Sequence, residues 1–314
     1  MARHVVLGKG AVGSTLVQLL VERGEPVLVL SRSGGPARAG GRVGHAALDV
    51  TDGAALARAA SGADVIYNCV NPAYHRWATD WPPLITGALD AAAATGAVLV
   101  TAGNLYGYGS HGTVMTEDLP LRATESKGVA RAAVWQEAER RHRSGELRAT
   151  EVRGADYLGP LADSQAHAGP RFLDPLLAGK VVRTLVAVDQ PHSWTYLPDF
   201  ARAMVAAGAT PEAWGSAWHV PTAEPLTFRD VAGRFAAAAG APEPRVRPLP
   251  RGAVRAMGLV SPLIREVAAV SDHFSEPFVM STEASERVLG TTATPWSAVV
   301  TETLAARQAA RAAA

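Results

Sequence analysis

The sequence predicts an α/β protein built on a doubly wound parallel sheet, and three observations support that prediction. Short runs rich in β-branched residues alternate with Ala- and Leu-rich segments of helical length, as in a parallel sheet with crossover helices. A glycine-rich turn joins the first such run to the first helical segment. The 314 residues are 48% hydrophobic and 19% charged, which is enough apolar material for a large core.

The elements follow one another in regular alternation through the first half of the chain. Helices are predicted where apolar residues recur at three- and four-residue spacing, and strands where short β-rich runs are bounded by turn residues. The predicted strands are His4–Leu7, Pro26–Ser31, Gly44–Leu48, Asp64–Asn68, Ala97–Thr101 and Leu147–Val152. The predicted helices are Ala11–Arg23, Gly53–Ala60, Pro83–Thr95 and Lys127–Arg143.

The alternation breaks up after about Gly154, where Pro, Arg and aromatic residues become more frequent. We expect residues 1–154 to form a nucleotide-binding domain, to which 181–188 and 199–239 return. A cleft between two lobes is the natural place for a substrate. A smaller, interleaved C-terminal substrate lobe is expected from residues 155–180, 189–198 and 240–314.

The composition argues against several kinds of partner and location. Thirty Lys and Arg residues against 29 Asp and Glu leave a net charge of +1, so no basic field for binding nucleic acid is indicated. No segment is long and apolar enough for a membrane span, and the N-terminus lacks the pattern of a secretory signal. The single cysteine, Cys69, fits a reducing compartment. We expect a cytoplasmic protein without nucleic-acid or membrane partners.

The strongest local signal is a GxGxxG motif, Gly8-Lys9-Gly10-Ala11-Val12-Gly13, between the first strand and the first helix. Gly8 suits a tight turn, Gly10 lets the backbone approach a pyrophosphate, and Gly13 allows close contact between helix and strand. The phosphates of a dinucleotide would then lie on free amides at a helix N-terminus. The motif therefore predicts a dinucleotide site of the Rossmann type.

The end of the second strand indicates which dinucleotide is bound. An NAD enzyme usually has Asp or Glu there, roughly 20 residues after the glycine motif, to bond the ribose 2′-hydroxyl. This chain has Ser31-Arg32-Ser33 instead, and an arginine between hydroxyls suits a 2′-phosphate. We expect NADP(H), bound by Ser31 and Arg32 with Lys9 near the phosphates, rather than NAD(H). Alternatively, Arg32 and Lys9 are ordinary surface residues.

Further motifs follow in a characteristic order along the chain. They are Leu48–Asp52, Asp64–Asn71, Thr101–Gly107, Ser126-Lys127, Arg153–Pro160 and Trp194–Phe200. Together with the glycine turn they resemble the NAD-dependent epimerase/dehydratase family, the extended or atypical short-chain dehydrogenases/reductases. The resemblance implies an NAD(P)-dependent oxidoreductase or epimerase. It places Asp49 and Val50 at the adenine end of the cofactor, and Cys69, Val70 and Asn71 on the path to the nicotinamide ribose. From the residues alone, Asp49 could also cap the next helix.

The resemblance also implies a catalytic set that this chain has only in part. Family enzymes use a Ser or Thr, and a Tyr followed four positions later by a Lys. The resemblance assigns Lys127 to the family lysine, so Ala123 stands at the tyrosine position. Thr101 lies one place before the expected hydroxyl residue. Tyr106, in the loop after the fifth strand, is the candidate for a displaced proton donor, although the family pattern has a Tyr there for structural reasons.

Other polar and aromatic residues are expected to contact the substrate. They lie in the loops after the fourth and fifth strands and in the segments of the second lobe, and they are Tyr74, His75, Trp77, Asn104, Tyr157 and Trp194. Tyr74 or His75 could also supply the proton in place of Tyr106. A role in the core is the alternative for the tryptophans. The nine histidines show no metal-ligand spacing.

Three functions remain open on this evidence. The first is an NADP(H)-dependent oxidoreductase acting on a carbonyl or hydroxyl of a small organic molecule, with a non-standard proton donor. The second is an epimerase, dehydratase or cyclase that uses bound NAD(P) without net redox change. The third is a non-catalytic NADP(H)-binding sensor, suggested by the missing residues. Family members often pair through two long helices, here Pro83–Thr95 and Lys127–Arg143, so a homodimer is one expected assembly.

Overall fold

A computed structural model describes residues 3–35, 41–109, 112–163, 166–184, 187–249 and 276–312, together with 252 and 259. The strands are β1 (His4–Leu7), β2 (Val27–Ser31), β3 (Val43–Ala47), β4 (Val65–Asn68), β5 (Val98–Asn104), β6 (Arg148–Gly154), β7 (Asp156–Leu158), β8 (Val181–Thr184), β9 (Trp194–Tyr196), β10 (Ala217–His219) and β11 (Arg245–Pro248). The helices are α1 (Ala11–Glu22), α2 (Gly53–Ala59), α3 (Trp77–Thr95), α4 (Ser126–Arg143), α5 (Pro170–Leu177), α6 (Leu197–Ala209), α7 (Phe228–Ala238), α8 (Glu283–Leu289) and α9 (Trp296–Ala312).

The central sheet has seven parallel strands in the order β10-β6-β5-β4-β1-β2-β3. The doubly wound α/β fold predicted from the sequence is confirmed. All six predicted strands are present, and their bounds shift by no more than three residues. The strand order reverses between β1 and β4. Folds of this kind bind their ligands at such a reversal, outside the carboxyl ends of the strands.

The sheet is buried on both faces. One face packs against α1 and α6, with Leu16, Tyr67 and Phe200 among its buried side chains. The other face is covered by helices α2, α3 and α4, with Trp81 and Leu99 in its core. Among the described helices, none has the length and apolarity that a membrane crossing requires.

Helix α3 begins six residues earlier than predicted, at Trp77 rather than Pro83. The sequence pattern favours a start at the prolines, because a proline inside a helix removes a backbone hydrogen bond at a cost of about 3 kcal/mol. Here Pro82 and Pro83 lie inside the helix. Trp77 and Trp81, one turn apart, are both buried, and the burial of two indoles offsets that cost.

The second lobe contains two small parallel sheets, one of β7 and β9 and one of β8 and β11. The segment 181–188 was expected to return to the first domain, but Val181–Thr184 pairs with Arg245–Pro248 instead. The edge of the central sheet beside β6 is taken by β10. In 199–239, α6 packs on the central sheet and β10 pairs with β6, as expected. The prediction is wrong for α7 of that segment, which packs against α5, α9 and β11 of the second lobe. The positions 250–251, 253–258 and 260–275 of the predicted lobe segment 240–314 lie outside the described residues.

Candidate functional site

The turn between β1 and α1 gives each of its three glycines a separate geometric role. Gly8 has φ +93°, a left-handed conformation that favours glycine. A side chain on Gly13 would collide with the Gly8 carbonyl oxygen, so only glycine lets α1 start this close to the strand. A side chain on Gly10 would meet nothing within 4 Å. Gly10 is the N-cap of α1, and the space next to its Cα is open. Ala11 and Val12 follow it in the first turn of the helix.

The end of β4 forms the wall next to this turn. A Cβ on Gly8 would lie 2.9 Å from the Cys69 carbonyl oxygen, so the two segments are in contact. Burial raises the pKa of the Cys69 thiol to about 12, which keeps it protonated and unreactive at neutral pH. Val70 is half-buried and Asn71 is exposed. The predicted path to the nicotinamide ribose is therefore lined by backbone and an inert thiol.

Two buried polar atoms lie where β4 and β5 end. Asn68 and Thr101 are opposite one another in the sheet register and are 1% and 2% exposed. Neither Asn68 Nδ2 nor Thr101 Oγ1 has a hydrogen-bond partner in the described part of the chain. Buried polar groups of this kind are rare and need an explanation, such as a bound ligand.

The loop after β2 brings positive charge to the adenine end of the predicted site. Lys9 Nζ donates a hydrogen bond to the Gly34 carbonyl oxygen at 2.9 Å, so this lysine fixes the β2–β3 loop. The neighbouring Arg32 is exposed, and Ser31 is buried with its hydroxyl 3.3 Å from the same carbonyl. Hydrogen bonds from Thr51 lower the pKa of Asp49, and the charge of Arg32 adds to this effect.

Asp49 does not cap helix α2. Its Oδ1 accepts hydrogen bonds from the backbone N–H and the hydroxyl of Thr51, at 3.0 and 2.9 Å. The N-cap is Asp52, whose side chain accepts from the Ala55 N–H at 2.9 Å. Asp49 and the buried Val50 therefore lie in a tight turn after β3, and Asp49 remains available at the carboxyl edge of the sheet.

Lys127 lies in the first turn of α4, at the carboxyl end of β5. Glu125 caps the helix by accepting from the Gly128 N–H at 2.8 Å. Lys127 is 2% exposed, and its Nζ lies 5.0 Å from the centre of the Tyr74 ring and 5.9 Å from that of Trp77. Ala123, four residues before Lys127, lies ahead of the cap and outside the helix. The residue one helical turn from Lys127 on the same face is therefore Arg131.

Arg131 is a buried cation that sequence reasoning missed. Its Nη2 donates to the Ala102 carbonyl oxygen at 2.6 Å, and its guanidinium carbon lies 4.7 Å from the centre of the Trp81 ring. Burial lowers its pKa, while the charge of Glu151 opposes that change. The signal was present in the sequence, since Arg131 follows Lys127 at the four-residue spacing that puts two side chains on one helix face.

Tyr106 faces this cation pair from the loop after β5. Its ring centre lies 6.2 Å from that of Trp77, and its side chain is hydrogen-bonded to Tyr74. Burial, then the proximity of Tyr74 and Asp156, raises the pKa of Tyr106 well above its ordinary value. The phenol therefore keeps its proton at neutral pH. Asn104 has a local role, because its Oδ1 accepts from the Tyr106 N–H at 3.2 Å.

Tyr157 and Asp156 follow β6 and reach toward the same place. Burial raises the pKa of Tyr157 to about 12, although the charge of Arg131 opposes this. Asp156 is 7% exposed, and its Oδ2 has no hydrogen-bond partner among the described residues. The charge of Asp156 contributes to the raised pKa of both Tyr106 and Tyr157. The family resemblance includes this segment, Arg153–Pro160, but assigns no role to Asp156 itself.

A buried polar network adjoins the site at the edge of the sheet. Arg153 donates to Glu151 Oε1 at 2.6 Å and to the Tyr108 hydroxyl at 2.7 Å. The Tyr108 hydroxyl is also 2.8 Å from His219 Nε2, and His219 Nδ1 lies 2.8 Å from the Ser281 carbonyl oxygen. Burial lowers the pKa of His219 to about 4, so its ring is neutral at pH 7. This network joins β6, β10 and the C-terminal segment.

Two residues expected at the substrate lie elsewhere. Trp194 is 3% exposed, packs edge-to-face on Phe228 at 4.7 Å, and donates from Nε1 to the Leu226 carbonyl oxygen. It belongs to the core of the second lobe, which was the alternative for the tryptophans. His75 is exposed on a single 3-10 turn before α3. Tyr74, Trp77 and Tyr106 meet with Lys127 and Arg131 in one group, which we call the aromatic–cation cluster, whereas Tyr157 packs on Phe200.

One known protein family matches most of this chain. The model of the NAD dependent epimerase/dehydratase family matches residues 5–220. No curated protein sequence matches the chain. The match begins at the first strand and extends through β10, so it includes the glycine turn and the aromatic–cation cluster.

Several solved structures share the fold over nearly its whole length. A dTDP-glucose 4,6-dehydratase from Streptomyces venezuelae, DesIV, is 19% identical with a TM-score of 0.75, over 98% of this chain and 97% of that one. The UDP-glucose 4-epimerase of Thermotoga maritima is 17% identical with a TM-score of 0.78, over 98% and 99%. MoeE5, solved with UDP-glucose and NAD, is 18% identical with a TM-score of 0.78, over 98% and 99%.

Proposed function

We propose that this chain, which belongs to the NAD dependent epimerase/dehydratase family and is therefore an enzyme, is an NADP(H)-dependent oxidoreductase. It would act on a carbonyl or hydroxyl of a small organic molecule. The observation that carries the proposal is the aromatic–cation cluster, in which buried Lys127 and half-buried Tyr106 both lie beside Trp77.

The residues present fit a dinucleotide cofactor. The open side of Gly10 at the start of α1 leaves room for a pyrophosphate, and the helix N-terminus there is not capped by a described side chain. Asn68 Nδ2 and Thr101 Oγ1 are buried polar atoms that a ligand could satisfy. A bound nicotinamide supplies hydride transfer.

The charge at the end of β2 supports NADP(H) over NAD(H). Arg32 is exposed beside Ser31, and Lys9 holds the adjoining loop in place. An arginine can form two charge-assisted hydrogen bonds to a 2′-phosphate. The solved relatives named above with a cofactor contain NAD, so the preference for NADP(H) is a departure that must be measured.

Lys127 and Tyr106 divide the proton chemistry in this proposal. Lys127 is a buried cation whose charge stabilises negative charge developing on a substrate oxygen. Tyr106 remains a neutral phenol, so it can donate a hydrogen bond or a proton to that oxygen but is a poor base. The hydrogen bond with Tyr74 orients the phenol. Arg131 holds the cluster together through Ala102 and Trp81 and acts as a positioning residue.

The test measures NADPH oxidation against a panel of aldehydes, ketones and enones. Lys127→Met should lower kcat by at least about 100-fold, the usual contribution of a positioned acid or electrostatic group. Tyr106→Phe should lower kcat by about tenfold or more. Lys180→Met is the matched control, because Lys180 is an exposed lysine at the start of β8 and should leave kcat unchanged. NADPH binding without turnover of any probe, or full activity in Lys127→Met, would contradict the proposal.

A second candidate is an epimerase, dehydratase or cyclase in which the cofactor is reduced and reoxidised in one cycle. The family match supports it, as do solved relatives that are dehydratases or epimerases. The two candidates differ in stoichiometry. Net redox consumes one NADPH per carbonyl reduced, or forms one NADPH per hydroxyl oxidised, whereas the second reaction proceeds with copurified cofactor and none added.

A further inference from the structure

Asp156 is a buried carboxylate at the boundary between the two lobes. It is the first residue of β7, two positions after Gly154 ends β6 of the central sheet. Its strand pairs with β9 of the second lobe, with Asp156 opposite Trp194. Asp156 therefore lies just past the carboxyl edge of the sheet, where a fold of this kind binds its ligands.

One oxygen of this carboxylate, Oδ2, has no hydrogen-bond partner among the described residues that would explain its burial. Asp156 is 7% exposed, and Oδ2 accepts no hydrogen bond from any described residue. Arg131 donates from Nη2 to Ala102 and Arg153 donates to Glu151 and Tyr108, while Arg131 Nε is itself a buried donor without a partner among the described residues. Burying a carboxylate without a hydrogen-bond donor is costly, so such a group is expected to meet one in the working protein.

The surroundings of Asp156 are those of the proposed site. Its charge raises the pKa of Tyr106 in the aromatic–cation cluster, and it also raises that of Tyr157. The charge of Asp156 also raises the pKa of His192 in the second lobe. Burial has the larger effect and lowers that pKa overall, which leaves the ring neutral. Asp156 is thus close enough to Tyr106, the candidate proton donor, and to His192 of the second lobe for its charge to act on both.

We propose that Asp156 selects the substrate by accepting a hydrogen bond from a hydroxyl or ammonium group beside the reacting carbon, and that it excludes a carboxylate or phosphate at that position. The inference rests on the proposed function, since it assigns the substrate class of the same site. The physical reason is charge. A buried carboxylate is stabilised by a hydrogen-bond donor and repels a second anion. A neutral acceptor at the same position would not repel that anion.

The experiment uses three alcohols that differ in one group beside the secondary hydroxyl. They are 1-amino-3-phenylpropan-2-ol, 3-phenylpropane-1,2-diol and 3-phenyllactate, which carry an ammonium, a hydroxyl and a carboxylate. Binding to the NADP⁺-loaded protein is measured by calorimetry, and oxidation by NADPH formation. Because binding is read separately from turnover, the failure of the substrate assignment can be told apart from the failure of the proposed function.

The wild-type protein should bind the ammonium and diol probes at least about tenfold more tightly than phenyllactate. Asp156→Asn, which keeps the shape and removes the charge, should reduce that ratio by about tenfold, mainly through better binding of phenyllactate. Asp156→Lys should reverse the order. Asp189→Asn is the matched control, because Asp189 is an exposed carboxylate paired with Arg229 in the second lobe. This variant should have the same ratio of probe affinities as the wild-type protein.

Two results would overturn the assignment. One is tighter binding of phenyllactate than of the other probes by the wild-type protein. The other is a ratio that Asp156→Asn leaves unchanged while circular dichroism shows the fold intact. Binding with the expected order but without NADPH formation would support the role of Asp156 and count against the proposed oxidoreductase activity.

Discussion

The Lys127 Nζ lies 5.0 Å from the centre of the Tyr74 ring, although 53 residues separate them in the chain. Lys127 opens α4 after β5, and Tyr74 lies in the turn that follows β4. Since β4 and β5 are neighbours in the parallel sheet, their carboxyl ends bring both residues to one edge. Aromatic rings around a buried ammonium stabilise the charge through cation–π contacts.

Gly10 and Gly13 should respond differently to the same substitution. Gly13→Ala puts a methyl group against the Gly8 carbonyl oxygen and should destabilise the fold by about 1–3 kcal/mol. Gly10→Ala enters open space with an ordinary φ of −72° and should change stability by less than about 1 kcal/mol. It should nevertheless weaken NADPH binding by about tenfold. Urea unfolding and fluorescence titration measure the two effects, and equal loss of stability in both variants would contradict the assigned roles.

Arg32 should determine the preference between the two dinucleotides. Arg32→Ala should raise the Kd for NADPH by about 10- to 100-fold, the loss expected for a charge-assisted hydrogen bond, and leave that for NADH nearly unchanged. Arg58→Ala, which removes an exposed arginine of α2, is the control. If wild-type protein binds NADH as tightly as NADPH, the assignment of Arg32 to a 2′-phosphate is wrong.

Acid should destabilise the protein through His219. Its pKa is lowered from 6.5 to about 4 by burial, so the unfolded state binds more protons between these values and stability falls as the pH drops through this range. The loss should be about 3 kcal/mol by pH 4. His219→Gln should flatten this pH dependence in urea unfolding, whereas exposed His75→Gln should not. The buried His4 and His192, whose pKa values are also lowered, should leave a residual slope of the same sign.

Arg153 should be essential for stability because it neutralises a buried charge. Arg153→Met leaves Glu151 unpaired at 3% exposure and should cost about 3–5 kcal/mol. Adding Glu151→Gln removes the stranded charge and should restore at least half of that loss. For comparison, Arg229→Met breaks an exposed pair with Asp189 and should cost less than about 1 kcal/mol. Thermal unfolding measures the stability of the three variants. If the double variant is no more stable than Arg153→Met, the unpaired charge of Glu151 is not the cause of the loss.

The elements that the sequence predicted well depend on local chemistry. The strand at His4–Leu7 and the start of α1 at Ala11 follow from a β-branched run and a glycine turn that act within a few residues. The start of α3 was missed for the opposite reason. Two prolines argue locally against a helix, and the buried indoles of Trp77 and Trp81 outweigh them only once the helix packs on the sheet.

The residues of the candidate site also differ in whether the sequence could reveal them. Lys127 was singled out because the family resemblance assigns it to the catalytic lysine, whereas Arg131 belongs to no motif of that resemblance and was overlooked. Trp194 was expected at the substrate, since a loop position in the sequence does not reveal that the side chain packs on Phe228. Whether a polar side chain has a partner is a property of its surroundings, which is why Asp156 could not be recognised from its own segment.

The sequence by itself determined the doubly wound sheet and the glycine turn, because backbone geometry and hydrophobic periodicity are set by near neighbours along the chain. Only the tertiary structure decided that Tyr74, Tyr106, Lys127 and Arg131 meet and that Asp156 is buried without a donor. The physical reason is that those relationships depend on how helices and lobes pack across the sheet, which brings together residues that lie far apart in the sequence.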